Sequence, residues 1–386
     1  MTMHTKAAVL WAVDEPLRLA EVELAPPGPR EVLVRIEASG VCHSDWNAAT
    51  GASATRLPAV LGHEGSGVVE TVGDAVTTVS AGQQVLLTWL PACAACRACR
   101  QGRPVLCEVM RQQMAAGSLP GGGFRLSADG RRLHHYSYLS TFAGYVVVHE
   151  RSCVPVPAGT DMDVAALVGC AVMTGIGAVI NRARVRPGSA GVEPGSTVVV
   201  LGAGGVGLNC IQGCVLAGAR QIVAADRLAA KRQAALRFGA THVIGSAAGD
   251  LAQAVAGLTD GLGADYVFVA AGAGSLIETG GALLRRGGSL VLVGLPPAGT
   301  RVSLDPLAIA DGSLRVLGSK LGAARPQYDI PRLAGLYQAG RLRLDELISG
   351  RFPLDRINDA MASAKAGAQL RPVIVFPGAC PSPAPP

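Results

Sequence analysis

From Thr197 onward the chain alternates apolar, β-branched runs with helical stretches, and the first junction reads VLGAGGVG. TVVVLG leads into a helix from Val206, QIVAAD into LAAKRQAALRFG, HVIG into DLAQAVAGL, and DYVFVAAG into SLIETGGALL; GSLVLVG supplies a further strand. Strands and helices that alternate this regularly are joined by right-handed crossovers, which predicts an α/β fold with a parallel, doubly wound sheet. Gly202, Gly204 and Gly207 form G-x-G-x-x-G at the junction, with Gly205 and Val206 opening the helix. Glycines at these places permit a tight turn and let a pyrophosphate approach the backbone at the helix N-terminus. Alone the motif is weak. It gains weight from Asp226 at the end of the next strand, where a carboxylate can accept ribose hydroxyls and repel a 2′-phosphate. The expected cofactor is therefore NAD rather than NADP, with the adjacent Arg227 as the residue that opposes this choice.

A second feature is CAACRACRQGRPVLC, with Cys93, Cys96, Cys99 and Cys107 in the pattern C-x2-C-x2-C-x7-C. Whether these are disulfides, a metal cage or free thiols depends on the compartment. The N-terminal MTMHTKAAVLWAVDEP lacks a basic-then-apolar signal pattern. The longest uncharged apolar run, Val164 to Ile180, is short for a membrane span and rich in Gly and Ala. It reads as a buried helix with Asp161 as its N-cap. A cytoplasmic protein without a membrane segment is expected, and thiols there stay reduced. Four thiolates at this spacing can converge on one tetrahedral zinc, closed to substrate and therefore structural. Arg97, Arg100 and Arg103 would offset their charge.

At 386 residues the chain is long enough for two domains. Its formal charge of +6 is scattered, with no basic run interleaved with aromatics, so no nucleic-acid partner is expected. Residues 1–150 read as β-rich, with EVLVRIEASGVC, SGVVETVG, QQVLLTW and AGYVVVHE as strands. The insert SLPGGGFRLSADGRRLHHYSYLS reads as too polar for core and too aromatic for a linker. VRPGSAGVEPGS, Val185 to Ser196, reads as a loop with a local near-echo (RPGS, EPGS). After Arg315 two helical patterns and the strand RPVIVF are expected, then a disordered tail, GACPSPAPP.

Against only seven histidines, three groups stand out. GVCHSDW carries Cys42, His43, Ser44 and Asp45; LGHEGSG carries His63 and Glu64; VGCAVMTG carries Cys170. Singly, a cysteine is usually a small apolar filler and a histidine a hydrogen-bonding group. Taken together, Cys42, His63 and Cys170 make a Cys2His set with one position free, the composition of a catalytic zinc.

With GVCHSD, GHEGSGVVE, the four-Cys lobe, GCAVMTG, LGAGGVG and VLVGLPP in place, the chain resembles the zinc-dependent medium-chain alcohol dehydrogenases from about Lys6 to Phe376. Its cysteine spacing and long insert are similar to the longer-chain branch, which includes glutathione- and mycothiol-dependent formaldehyde dehydrogenases. The resemblance implies a GroES-like catalytic domain over residues 1–174 with the zinc lobe 93–107, a Rossmann domain over 175–316, and a return to the catalytic domain over 317–386. It implies two zincs per chain, NAD, an alcohol or aldehyde substrate and a homodimer. Cys42, His63 and Cys170 would hold the catalytic zinc, with Glu64 as a transient ligand and Asp45 orienting His63. Ser44 would take the alcohol proton. Thr174 and Val293 would flank the nicotinamide, Lys231 would touch the adenosine ribose, and His43 and Arg371 the pyrophosphate. Trp89 would line the substrate pocket, with Tyr136 and Tyr138 as further candidates. Asn47 stands where many relatives end the proton relay in histidine, and Trp46 beside it receives no role. The alternatives are a thiol-adduct formaldehyde dehydrogenase and a non-catalytic NAD-binding protein that has kept the fold.

Overall fold

The strand Glu31–Gly40 organises the first of two compact units, formed by Met1–Cys170 with Arg325–Pro386. The computed structural model describes residues 2–157, 159–183, 195–245, 248–367 and 370–377, and the echo loop up to residue 194 and the tail GACPSPAPP lie outside them. Glu31–Gly40 pairs antiparallel with Glu64–Val72, Tyr145–His149 and the C-terminal strand Arg371–Val375. Gln84–Leu87 and Cys153–Pro155 extend the sheet on one side, and Ile348–Pro353 on the other. The register places Gly40 opposite Glu64. Cys42 and His63, which follow and precede those residues, therefore emerge at the same end of neighbouring strands.

A closed barrel adjoins this sheet, in the order Met3–Leu10, Arg18–Leu24, Leu126–Ala128, Arg131–His135 and Ala59–Val60. Two of its strands come from the insert, which corrects the expectation that this stretch is too polar for core. Leu119, Leu126, Leu133, Tyr138 and Leu139 are all buried. Asp129 and Gly130, both with positive φ, make the two-residue turn between the paired Ala128 and Arg131. In these strands Leu126, Ala128, Leu133 and His135 are buried while Ser127 and His134 between them are less so and Arg131 and Arg132 are exposed, so the segment is polar by average and amphipathic by position.

Asp161 caps the next helix as expected, its carboxylate accepting from the Asp163 and Val164 amides at 3.0 and 3.3 Å. The helical run continues through Val168–Val172 and Ala178–Arg182, both π-helical, to Arg182. Among the described residues, Met162–Arg182 is the one helix long and apolar enough to cross a membrane; 89% of its most apolar window is buried within the protein.

The second unit is Ala171–Ala324. Its six parallel strands run in the order His242–Ile244, Gln221–Ala225, Thr197–Leu201, Ala264–Val269, Leu284–Leu292, Arg315–Gly318. Every residue of Thr197–Leu201 is buried, as a central strand covered on both faces requires. The strand order reverses at Thr197–Leu201, and in such sheets ligands bind outside the carboxyl ends of the strands at that switch point. The edge strand Arg315–Gly318 has no counterpart among the sequence expectations, because it is four residues long, mostly exposed, and its apolar content is only Val316 and Leu317. The first and last segments of this unit pack together at Gly177 and Gly322. A Cβ on Gly177 would lie 2.5 Å from the Gly322 carbonyl oxygen, so both positions need glycine.

Candidate metal and coenzyme sites

Cys42 ends the turn after Glu31–Gly40 and starts the short helix His43–Ala49. The Asp45 carboxylate folds back onto the Cys42 amide at 2.9 Å, and its other oxygen accepts from the Gly62 amide at 3.2 Å and meets His63 Nδ1 at 3.0 Å. One fully buried carboxylate thus ties two strand ends together and fixes the His63 ring. With Nδ1 held there as donor, Nε2 is left as the metal-binding nitrogen.

Cys170 arrives from the π-helical turn Val168–Val172. The chain must come close to the strand Gln84–Leu87 here: a Cβ on Gly169 would sit 2.4 Å from the Leu87 carbonyl oxygen. One ligand atom each from Cys42, His63, Glu64 and Cys170 lies within 4.8 Å of all the others. All four residues are buried. Neither carboxylate oxygen of Glu64 has a hydrogen-bond partner among the described residues, although both are buried. Such orphaned acceptors beside two sulfurs and an imidazole fit a resident cation. Gly40 makes room for the carboxylate, since a Cβ there would lie 2.2 Å from Glu64 Oε2.

The electrostatics agree. The bond from Cys170, with help from Arg371 and His63, holds the Cys42 thiol well below its usual range against the opposing effect of burial. The same bond, with burial, pushes Cys170 up. A cation at the centre would keep both as thiolates. Burial raises Glu64 to about 7, with Arg371 pulling it down and Cys42 adding to the rise. Arg371 is buried, donates to the Val41 carbonyl at 3.2 Å, and stands 3.5 Å from Glu64 Oε1. The sequence reading sends this guanidinium to a pyrophosphate. In addition to that expected role, the structure seats it beside the metal-site carboxylate, a contact no local motif around RPVIVF signals.

The remaining expected residues divide. Ser44 Oγ lies 3.8 Å from Cys42 Sγ, and His43 is exposed at the start of the same helix. Tyr136 packs edge-on against His63, ring centroids 5.7 Å apart, and donates to the Ser44 carbonyl at 3.0 Å. Tyr138 is fully buried, with its hydroxyl donating to the Met110 carbonyl. It has no surface to offer a substrate, which removes it from the pocket candidates. Trp89 is half-buried against the core. Trp46 lies under Lys365 Nζ, 4.4 Å from the ring centroid, which gives the unassigned indole a packing role on the helix Ile357–Ala366.

The four-cysteine lobe forms a separate cluster, its sulfurs within 4.8 Å of one another. Cys93–Cys99 and Cys96–Cys107 are each 3.9 Å apart, close to the ~3.8 Å edge of a tetrahedron with zinc–sulfur bonds of about 2.3 Å. Among the described residues all cysteines are free thiols. Backbone amides supply donors: Cys96 N at 3.3 Å and Ala95 N at 3.5 Å from Cys93 Sγ, and Cys93 N at 3.5 Å from Cys107 Sγ. The amides of Cys99 and Glu108 lower Cys96 to about 6. Arg97, Arg100 and Arg103 are exposed, where solvent screens them, so the amides carry most of the work expected of the arginines.

In the second unit Gly202 has φ +97°, and a Cβ on Gly207 would lie 1.8 Å from the Gly202 carbonyl oxygen. A Cβ on Gly204 would meet nothing within 4 Å, so the middle glycine leaves open space above the start of Gly205–Leu216. That is the cradle a pyrophosphate would fill. Asp226 follows Gln221–Ala225; its two oxygens accept from the Ala203 and Leu228 amides, each at 2.9 Å. Arg232, which the sequence reading passes over, donates through Nη1 to the carbonyls of Asp226 at 2.8 Å and Arg227 at 2.9 Å. Lys231 is half-buried in the same helical turn, Val293 is buried just past Leu284–Leu292, and Thr174 is half-buried in Met173–Gly177.

Two family descriptions match the chain: "Alcohol dehydrogenase GroES-like domain" over residues 28–158 and "Zinc-binding dehydrogenase" over residues 205–338. Similar curated proteins include the NDMA-dependent alcohol dehydrogenase of Amycolatopsis methanolica, 38% identical over 97% of this chain and 99% of its own. The class-3 alcohol dehydrogenase of Myxine glutinosa is 36% identical over 96% and 98%. Among solved structures, benzyl alcohol dehydrogenase from Acinetobacter calcoaceticus superposes with a TM-score of 0.90 at 31% identity, covering 97% of this chain and 99% of that one.

Proposed function

Because this chain belongs to the zinc-dependent medium-chain alcohol dehydrogenases, an oxidoreductase family, we propose that it interconverts a primary alcohol and its aldehyde with NAD as the hydride carrier and two zincs per chain. The observation that carries this reading is the buried set Cys42, His63, Glu64 and Cys170 with Asp45 behind His63. Held by Cys42, His63 and Cys170, zinc would act as a Lewis acid that acidifies the alcohol hydroxyl and polarises the carbonyl. Held at the Gly202–Gly207 loop, NAD would take up the hydride as the alcohol carbon is oxidised.

The chain's own residues supply the rest. Ser44 Oγ accepts the hydroxyl proton and passes it to solvent, since the amide of Asn47 holds no proton that titrates near neutral pH. Asp45 keeps His63 in one tautomer. Glu64, with Arg371 at its back, is a further carboxylate that can approach the metal position during ligand exchange. Thr174 and Val293 contact the nicotinamide, His43 the pyrophosphate and Lys231 the adenosine ribose. Trp89 and Tyr136 shape the pocket. The similarity to a benzyl alcohol dehydrogenase favours an apolar, aromatic substituent on the alcohol. The similarity to a class-3 enzyme supports a second reading, a thiol adduct of formaldehyde as substrate. The exposed edge strand Arg315–Gly318, with Leu307 at 73% exposure nearby in sequence, is our candidate for a homodimer contact, and the reduced cysteines suit the cytoplasm.

The test is direct. Purified protein is assayed for zinc and for NADH formation from a panel of alcohols, benzyl alcohol included, with and without glutathione or mycothiol. Two zincs and thiol-independent NADH formation are expected. Formaldehyde turnover only with a thiol moves the reading to the second one, and one zinc with no turnover overturns both.

A further inference from the structure

We propose that Arg232 is a positioning residue that sets coenzyme selectivity, by locking the turn that aims Asp226; this rests on the reading that NAD is the coenzyme. The observation behind it is a local rule broken. Arg232 lies in the first turn of Ala229–Arg237, whose N-terminus has no side-chain cap. A cation there opposes the helix dipole, which favours anions at that end. Its guanidinium is nevertheless held, because one nitrogen donates to two successive carbonyls, those of Asp226 and Arg227. Departures from local preference of this kind concentrate at functional sites.

What the contact achieves follows from the rest of the turn. The Asp226 carboxylate accepts one backbone amide on each oxygen, Ala203 on one and Leu228 on the other. A carboxylate has about four lone-pair sites, so each oxygen keeps one for a ribose hydroxyl. The Arg232 bonds fix the two successive peptide planes that follow Asp226, so the turn that carries its carboxylate cannot swing away. A ribose with two free hydroxyls meets preorganised acceptors. A 2′-phosphate meets a negative charge that cannot yield. Arg232 is half-buried and the freed carbonyls can be hydrated, so its loss loosens the turn without removing core. The freedom regained is about one residue's backbone ordering, which corresponds to roughly tenfold in affinity.

NAD+ and NADP+ binding are measured by titration calorimetry on the zinc-loaded full chain, for wild type, Arg232→Met and Arg232→Gln, each checked for folding by circular dichroism. Arg232→Met should weaken NAD+ roughly tenfold and leave NADP+ unchanged or tighter, so the preference narrows. Arg232→Gln, whose uncharged amide is two bonds shorter and keeps at most part of this contact, should fall between Arg232→Met and wild type in NAD+ affinity, with NADP+ unchanged. If Arg232 instead acts as a bare charge for phosphate, Gln behaves like Met and NADP+ suffers more than NAD+. That result overturns the inference, as does Met binding NAD+ like wild type. A wild type that binds no NAD+ at all refutes the coenzyme reading itself, and is recognised before any variant is examined.

Discussion

Replacing Asp45 by Asn should release the buried zinc while sparing the four-cysteine lobe. The Asp45 carboxylate accepts from the Cys42 and Gly62 amides and bonds His63 Nδ1, with no exposure to water. An amide has one oxygen. If that oxygen keeps Gly62 and His63, the NH2 group faces the Cys42 N–H, donor against donor. If it turns to Cys42, the NH2 group faces Gly62 and forces His63 to present a protonated Nε2 to the metal. The first arrangement is cheaper. It leaves one buried donor unsatisfied, at about 1–3 kcal/mol, and removes the charge that makes His63 a strong ligand. Losing the carboxylate behind a metal-bound histidine weakens binding roughly 10- to 100-fold. Competition against a chromophoric chelator should therefore show one zinc leaving Asp45→Asn at chelator concentrations that leave wild type intact, with the second zinc released as in wild type. Equal retention of both zincs and an unchanged melting temperature would refute the role given to Asp45.

Three further outcomes follow from the same geometry. Gly169→Ala must open the helix–strand contact by about 1 Å, because its Cβ would lie 2.4 Å from the Leu87 carbonyl oxygen; metal analysis should find the Cys170 site depleted, and full zinc content would show that the contact does not set Cys170. Cys42→Ser should lose one zinc and all turnover with the fold kept, whereas Cys99→Ser should lower the melting temperature; matching losses of stability in both would deny the two sites separate roles. Burial holds His135 down at about 3, far below the usual histidine value of ~6.5, so it folds neutral while the unfolded chain takes up a proton. Its contribution is therefore complete above about pH 6.5 and falls by roughly 1.4 kcal/mol per pH unit as pH drops toward 3. His135→Gln should flatten that part of the acid limb in denaturant titrations of zinc-loaded protein, and an unaltered limb would place the titrating group elsewhere.

The parts of this molecule that were legible in sequence are those where chemistry fixes spacing. The four clustered cysteines suit one metal, Gly202 and Gly207 sit where a Cβ or the backbone angle demands glycine, Gly204 leaves the space a pyrophosphate would fill, and Asp161 is one of the few residue types that cap a helix. The average composition of the insert hides its two strands, although Asp129-Gly130 between alternating apolar positions is a hairpin signal. Tyr138 was grouped with Tyr136 by proximity in the chain, yet the two rings face different surroundings. Arg371 and Arg232 act through contacts set by packing, Arg371 with a carboxylate far away in the chain and Arg232 with backbone carbonyls. Neither contact has a sequence pattern of its own.

The strand Arg371–Val375 lies between Glu31–Gly40 and Ile348–Pro353, so the first unit is stitched from both ends of the chain around an inserted second unit. Synthesis on the ribosome is vectorial, and domains fold as units as they emerge. The second unit, Ala171–Ala324, is complete in the nascent chain before the first, although most of the first was made earlier. Until Arg371–Val375 emerges, the Ala38–Gly40 end of Glu31–Gly40 remains an open β edge beyond its pairing with Tyr145–His149, and Glu64 waits without Arg371. Catalytic competence is thus among the last things the chain acquires, and a product truncated before residue 371 can hold its glycine loop yet have no finished metal site.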